Sequence, residues 1–158
     1  MAHHSSFMLE ALRYARRGMR QGKGGPFGAC LVRNGKKVVC FSNSVISSQD
    51  PTQHAEINCI RFGARKLKRF DLSDCVLYST TEPCPMCFSA IHWSRIRRVF
   101  FGTRILDVKR RGFNELAVSA GWLKKKGKSS VQLKAGLLRT ECLRLLAEWD
   151  RMPKKRVY

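Results

Sequence analysis

Four residues in the sequence have the types and spacing to hold and use a metal ion. His54 and Glu56 flank a single alanine, and 26 residues separate Glu56 from the proline that precedes Cys84 and Cys87. A histidine nitrogen and two thiolates are typical zinc ligands, and three protein ligands leave the fourth tetrahedral position open for water or substrate. The spacing therefore predicts a catalytic zinc site.

Glu56 is the candidate general acid and base at this metal. A carboxylate two residues from a zinc ligand can lie beside the ion without binding it, accept a proton from water and return it to the substrate. We expect His54 and Glu56 in the first turn of one helix, with Cys84 and Cys87 at the start of the next. The exposed N–H groups of two helix ends would favour both thiolates. The chemistry indicated is metal-assisted hydrolysis.

Two alternatives use the same cysteines without catalysis. A fourth ligand such as Cys59 or Cys75 would close the zinc site, or the cysteines would only fill the core. Cys59 lies five residues after His54, and Cys75 lies in a predicted loop, so neither completes a standard ligand spacing. The open site is therefore favoured.

Apolar periodicity predicts the helices and strands that position these residues. An amphipathic helix is expected over residues 5–22, and Asn34-Gly35 predicts a tight turn between two antiparallel strands within 28–44. The later elements are expected as a helix from about 50 to 68, a strand at 76–80, a helix at 85–94, a strand at 98–102, a basic loop at 121–130, a short edge strand at 131–134 and a helix at 136–152.

The order of these elements predicts an α/β fold. Strand, helix, strand, helix, strand is a βαβ pattern, which implies parallel strands covered by helices. The first hairpin adds antiparallel pairing, so we expect a mixed sheet of about five strands. The chain shows no repeat and no long linker, and residues 1–158 are interpreted as a single domain with residues 1–5 flexible.

Composition excludes some classes of protein and leaves one question open. Apolar residues make up 44% of the 158 residues, but no apolar run approaches the length of a membrane span. Seven cysteines, an odd number, predict reduced thiols and a cytoplasmic location. A net charge of +20, spread along the chain, predicts a basic surface and keeps contact with a polyanion open.

Several stretches of the sequence resemble one enzyme family. The zinc motif resembles the cytidine-deaminase-like superfamily, and the chain as a whole looks like its bacterial guanine deaminase branch, with plant guanosine deaminase next. The matching stretches are residues 24–29, 50–56, 82–87, 90–93 and 112–113, together with the terminal Tyr158. The resemblance implies a three-layer α/β/α sandwich and zinc-dependent hydrolytic deamination of a purine, guanine first, to xanthine and ammonia.

The resemblance also implies a set of substrate contacts. Phe27 would pack against the base, Asn43 would hydrogen-bond its edge, and the Ala55 backbone would lie against the ring. Trp93 would help wall the pocket. Glu115 would accept from the N1–H and N2–H₂ donors of guanine, because an ionised carboxylate only accepts hydrogen bonds.

Tyr158 would enter the pocket from a C-terminal tail, residues 153–158, that can close over it. In the family this segment is swapped from a partner subunit, which implies a homodimer. The sequence departs from the guanine deaminase pattern at Asn114, where those enzymes have an acid. Another aminopurine, cytosine or a triazine-like ring therefore remains an alternative substrate.

Two rival functions use the same motif. A tRNA adenosine deaminase shares the stretch over residues 50–56 and Asn43, and the net charge and the lysines at 124–126 favour it. Against it, residues 112–115 and Tyr158 follow the purine branch, and a closing tail would obstruct a polynucleotide. A catalytically silent relative that binds nucleic acid or acts as a scaffold is disfavoured, because all four chemical residues are present.

Overall fold

The chain folds around one five-stranded sheet with helices on both faces. A computed structural model describes residues 2–153 and 155–158. Its elements are α1 (Ala2–Arg20), β1 (Gly28–Arg33), β2 (Lys36–Ser42), α2 (Val45–Ser48), α3 (Ala55–Leu67), β3 (Cys75–Thr81), α4 (Pro85–Trp93), β4 (Arg98–Thr103), α5 (Ile105–Lys109), α6 (Ala120–Lys126), β5 (Gln132–Ala135) and α7 (Arg139–Asp150). The strand order is β2-β1-β3-β4-β5, which confirms the predicted mixed sheet.

The sheet is mixed because its two halves are connected differently. β1 and β2 form an antiparallel hairpin, and its turn residues Asn34 and Gly35 have φ of 48° and 68°, the left-handed conformation that a tight hairpin turn needs. β1 also pairs antiparallel with β3, whereas the β3–β4 and β4–β5 pairs are parallel. The carboxyl ends of β3 and β4 therefore lie at the same edge of the sheet.

Each face of the sheet buries its own hydrophobic layer. On one face α1 and α7 pack against the strands, with Leu12 and Leu145 in the core. On the other face α3 and α4 pack over Leu77, with Cys59 and Ile91 fully buried. Successive residues of a strand point to opposite faces, which is why one sheet serves both layers. The helices α3 and α4, which begin next to the candidate metal ligands, are thus held in place by the hydrophobic layer on this second face.

Several boundaries differ from the sequence predictions, among them that of the last helix, which begins at Arg139 and ends at Asp150. α1 begins at Ala2, so residues 2–5, which were expected to be flexible, belong to the helix, and the ring of His4 stacks on Phe100 with centroids 4.4 Å apart. Met1 lies outside the described residues. The helix expected from about residue 50 begins at Ala55. Much of the expected loop at 121–130 is α6, because the Ser119 side chain accepts from a backbone N–H and caps that helix.

The cysteines also differ in part from the expectation of reduced thiols. Cys30 and Cys40 form a disulfide, because the β1–β2 register places them directly opposite each other with Cα atoms 4.1 Å apart. The other five cysteines are free and buried. Strand register, which the count of cysteines does not reveal, decides this pairing. Within the described ranges, no helix is long and apolar enough to cross a membrane.

Candidate metal and active site

The starts of two helices bring the candidate metal ligands together. His54 directly precedes α3 and Cys84 directly precedes α4, and both residues have extended backbone. Pro85 is the first residue of α4. A backbone N–H at this position has no partner within the helix, so the N–H that proline lacks costs no hydrogen bond. Cys87 follows in the first turn. The Nδ1 of His54 and the two Sγ atoms all lie within 4.8 Å of one another.

The distances between these atoms fit one tetrahedral zinc ion. His54 Nδ1 lies 3.6 Å from the Sγ of Cys84 and 3.6 Å from that of Cys87. Zinc bonds of about 2.0 Å to nitrogen and about 2.3 Å to sulfur, at a tetrahedral angle, place the two atoms about 3.5 Å apart. Among the residues that the structure describes, no fourth His, Cys, Asp or Glu joins the group, so Cys59 and Cys75 do not close the site.

The two thiols differ in acidity. A hydrogen bond from Cys87 is the main factor that lowers the pKa of Cys84, to about 4. Burial raises the pKa of Cys87 well above its usual value. Burial opposes protonation of His54, but the adjacent Cys84 outweighs it and raises the pKa of the ring. Cys84 is thus already favoured in its thiolate form. A bound divalent cation would supply the positive charge that favours the thiolate form of Cys87 as well.

Glu56 lies beside these ligands and is held by two neighbours. The Ser79 hydroxyl donates to Oε1 at 2.9 Å, and the Cys87 thiol donates to Oε2 at 3.6 Å. Burial, with only 6% of the residue exposed, raises the pKa of the carboxyl. A fixed carboxyl with a raised pKa takes up a proton more readily than a free carboxyl, which suits a general acid and base.

A cavity of about 200 Å³ opens beside the ligands. Three aromatic rings line it, and they meet edge to face: Phe27 and Phe113 have centroids 5.1 Å apart, and Phe113 and Tyr158 have centroids 5.5 Å apart. The remaining lining residues are Pro51, His54, Thr81, Glu56, Glu82, Cys84, Asn114 and Glu115. Aromatic walls with a few convergent polar groups suit a flat, polar ring.

Glu115 brings a third carboxyl into the cavity, beside Glu56 and Glu82. It lies in the segment between α5 and α6, in a tight turn in which its N–H donates to the Phe113 carbonyl at 2.8 Å. Burial raises the pKa of Glu115 to about 7, and the nearby Cys84 thiolate acts in the same direction. Near neutral pH this carboxyl therefore changes between a hydrogen-bond donor and a pure acceptor.

Tyr158 places the C-terminal tail over the cavity of its own chain. Its hydroxyl donates to Asn43 Oδ1 at 2.6 Å and accepts from the Gly25 N–H at 3.0 Å, while its carbonyl accepts from the Asn114 N–H at 3.0 Å. Burial raises the pKa of Tyr158, so the hydroxyl stays protonated. The sequence predicted a tail that reaches the pocket, and the structure has this contact within one chain.

Asn43 and Ala55 lie against the site without lining the cavity. Asn43 is 1% exposed, and its Oδ1 is occupied by Tyr158 and by the Val45 N–H. Its Nδ2 is buried with no hydrogen-bond partner, which leaves both N–H donors of this amide free. Ala55, the first residue of α3, is fully buried.

Trp93 does not wall this cavity, contrary to the sequence expectation. It is the last residue of α4, is 81% exposed and lines a different groove with Phe70 and Arg95. α4 begins at the metal ligands, and nine helical residues span about 13 Å, so the helix carries Trp93 to its far end. The predicted helix over residues 85–94 already placed Trp93 at its far end; what the sequence did not show is where the cavity lies relative to this helix.

Four cavity residues had no role in the sequence predictions. Phe113 was part of a matched stretch but had no assigned contact, and Pro51, Thr81 and Glu82 were also unassigned. Ser79 supports Glu56 from outside the lining. The signal that could have found Glu82 was its place directly before the zinc-binding stretch; for Ser79 the only signal was a polar residue in a buried strand.

Residues 1–103 match the family model described as cytidine and deoxycytidylate deaminase zinc-binding region. Guanine deaminase of Bacillus subtilis is 41% identical over 112 residues, which are 71% of this chain and 72% of that protein. A tRNA-specific adenosine deaminase of Buchnera aphidicola is 37% identical over 146 residues, 92% of each chain. The structure of guanine deaminase from Nitrosomonas europaea matches with a TM-score of 0.85 and 29% identity over 94% of this chain and 85% of that one.

Proposed function

Because this chain belongs to the cytidine and deoxycytidylate deaminase family, we propose that it is a zinc-dependent aminohydrolase that converts guanine and water to xanthine and ammonia. The observation that carries the choice of guanine is Glu115, a carboxyl in the same small cavity as the metal ligands. Guanine presents an N1–H donor beside the carbon that bears its amine, and an ionised carboxylate is suited to accept from it.

His54, Cys84 and Cys87 would hold the zinc ion. When bound, a zinc ion with one open position activates water at neutral pH. The three ligands come from two helix starts that pack in one buried layer, so they would hold the ion at one place beside the cavity. Such fixed placement lowers the barrier, because the reacting groups need no reorganisation.

Glu56 would carry the protons. Ser79 holds its Oε1, and Cys87 as a metal-bound thiolate would have no proton to donate to Oε2, so Oε2 is the atom available to take one proton from water and deliver it to the ring nitrogen next to the reacting carbon. Oε2 would then take the second proton of that water, from the hydroxyl now on the carbon, and pass it to the leaving amine. The amine leaves as ammonia, and the water oxygen becomes the new carbonyl. One buried carboxyl can serve each step, because burial raises its pKa and so makes it a better proton acceptor than a free carboxylate.

The other site residues would bind the base. Phe27 would stack on the ring, Glu115 would accept from its donor edge, and Tyr158 would shut the cavity from water. Asn43 would use its free Nδ2 donor, and the Ala55 backbone would lie against the ring.

The alternative is an RNA-directed adenosine deaminase, which the Buchnera relative and the net charge of +20 favour. Tyr158 stands against it, because its hydroxyl is hydrogen-bonded to Gly25 and Asn43 and the residue lines the cavity that a nucleotide of an RNA strand would have to enter. Another aminopurine, cytosine or a triazine ring would also fit the cavity as a free ring. These substrates remain alternatives because Asn114 stands where guanine deaminases have an acid.

The test is ammonia release by the zinc-loaded protein from guanine, guanosine, other aminopurines, cytosine, a triazine and transfer RNA. Guanine is expected to be the best substrate. Glu56→Ala is expected to lose turnover but keep zinc, and Glu141→Ala, which removes an acid far from the site on α7, is the matched control. Deamination of transfer RNA with no turnover of free bases would replace this proposal with the alternative.

A homodimer and a cytoplasmic location stay predictions. The five free cysteines fit a reducing compartment, whereas the Cys30–Cys40 bond does not. Sedimentation of the purified protein and thiol counting after extraction from cells measure the two properties directly.

A further inference from the structure

We propose that Glu82 is a positioning residue, which fixes the substrate segment (residues 105–120) beside the metal ligands. The proposal rests on the proposed function for its kinetic test, but its structural test needs no substrate. Glu82 is 4% exposed, lies two residues before Cys84 and lines the same cavity as Cys84 and Glu115. No proton transfer or contact with a reacting atom is assigned to it.

One carboxylate accepts a hydrogen bond from each end of the substrate segment. The Ile105 N–H donates to Oε2 of Glu82 at 3.3 Å, and the Ala120 N–H donates to Oε1 at 3.0 Å. These amides belong to the first residues of α5 and α6, so neither has a partner within its own helix. Both ends of the segment therefore meet at a single side chain.

Glu82 is itself firmly placed. Its backbone N–H donates to the Thr103 carbonyl at 2.8 Å, where β3 and β4 end side by side. The Thr103 hydroxyl shares a hydrogen bond of 2.9 Å with the Thr81 hydroxyl and donates to the Thr80 carbonyl at 3.1 Å. The edge of the sheet thus fixes the position of Glu82, and Glu82 in turn holds both ends of the substrate segment.

The proposed substrate contact lies between the two anchored ends. Phe113 packs on Phe27, the Asn114 N–H meets the tail, and Glu115 lines the cavity. Around them Gly112, Asn114 and Leu116 are exposed, whereas Phe113 also packs on Trp149 and Tyr158, and Arg111 is paired with Asp150. The freedom of a loop depends on where its ends are held. Glu82 holds both ends of the segment, so the distance from Glu115 to the metal ligands depends on Glu82 together with these contacts.

Glu82→Gln is the direct test, because glutamine offers one acceptor oxygen and turns an N–H₂ donor toward the other amide. We expect kcat/KM for guanine to fall about ten- to a hundredfold, the range for losing a hydrogen bond to a charged group, mainly through KM. Zinc content is expected to equal that of the wild type. Glu141→Gln, which removes an acid on α7, is expected to change neither value.

Amide hydrogen exchange tests the same variant without substrate. We expect faster exchange over residues 105–120 in Glu82→Gln and unchanged exchange in α1 and β1. Ala120→Pro removes one donor and leaves Glu82 intact; proline suits the first position of a helix, and Ser119 before it has the extended backbone that proline requires. It is expected to loosen the same segment. Unchanged exchange over 105–120 in both variants would overturn the proposal, whether or not guanine is the substrate.

A double mutant separates positioning from general stability. If Glu82 acts through Glu115, adding Glu82→Gln to Glu115→Gln will lower kcat/KM by less than about twofold further, because the contact to be positioned is already lost. A full multiplicative loss in the double mutant would refute the role. Absence of guanine turnover in the wild type would refute the proposed function instead, and the exchange data would still decide the role of Glu82.

Discussion

Glu115→Gln should change both the level and the pH dependence of guanine deamination. Burial raises the pKa of this carboxyl to about 7. Its ionised fraction is then about nine tenths at pH 8 and about one tenth at pH 6. If only the ionised form accepts from guanine, kcat/KM of the wild type falls about tenfold from pH 8 to pH 6 through this group alone.

The size of the loss in the variant follows from the hydrogen bond. A bond to a charged acceptor contributes about 1.5–3 kcal/mol, so at pH 8 Glu115→Gln is expected to lower kcat/KM by about ten- to a hundredfold. At pH 6 most of the wild-type carboxyl is protonated and resembles the amide, so the ratio of wild type to variant should shrink by about tenfold. The sign is fixed: the advantage of the carboxyl is present above its pKa and is lost as the pH falls through it.

The assay is initial-rate ammonia release from guanine at low substrate concentration between pH 5.5 and 8.5, with zinc content measured at each pH. Glu141→Gln, which alters a carboxyl outside the cavity, should keep the full wild-type profile. A wild-type to variant ratio that stays constant over this range would refute the assignment of Glu115 as an ionised acceptor.

Three further outcomes are expected. Ser79→Ala should lower kcat about tenfold with little change in KM, because it frees the Glu56 oxygen that Ser79 holds at 2.9 Å; an equal rise in KM would contradict this. Deleting Tyr158 should raise KM for guanine about tenfold, because the three hydrogen bonds that hold the tail at the cavity are lost, and should leave zinc content unchanged; unaltered KM would show that the tail does not act in binding. Cys84→Ser should lower zinc content and remove the rise in melting temperature that added zinc gives the wild type, because a metal bound only by the folded chain stabilises it; an undiminished rise would exclude Cys84 as a ligand.

The sequence determined the chemistry and most of the elements because their signals are local. A metal site is predicted by the types and spacing of His54, Glu56, Cys84 and Cys87. The structure brings the ligand atoms of His54, Cys84 and Cys87 within 4.8 Å of one another. Asn34-Gly35 fixes the first hairpin, since only a left-handed turn joins two strands so tightly. Alternating strands and helices determine a mixed sheet covered on both faces.

Tertiary structure decided what depends on distance between remote residues. The direction of α4 carries Trp93 away from the cavity, and the register of β1 and β2 pairs Cys30 with Cys40. Where the cavity lies relative to α4, and which residues of two strands face each other, depend on how one element packs against another, and no pattern along the chain gives this. The bonds of Glu82 to both ends of residues 105–120, and of Tyr158 to Asn43, join positions far apart in sequence, and only the packed sheet edge brings them within hydrogen-bond reach.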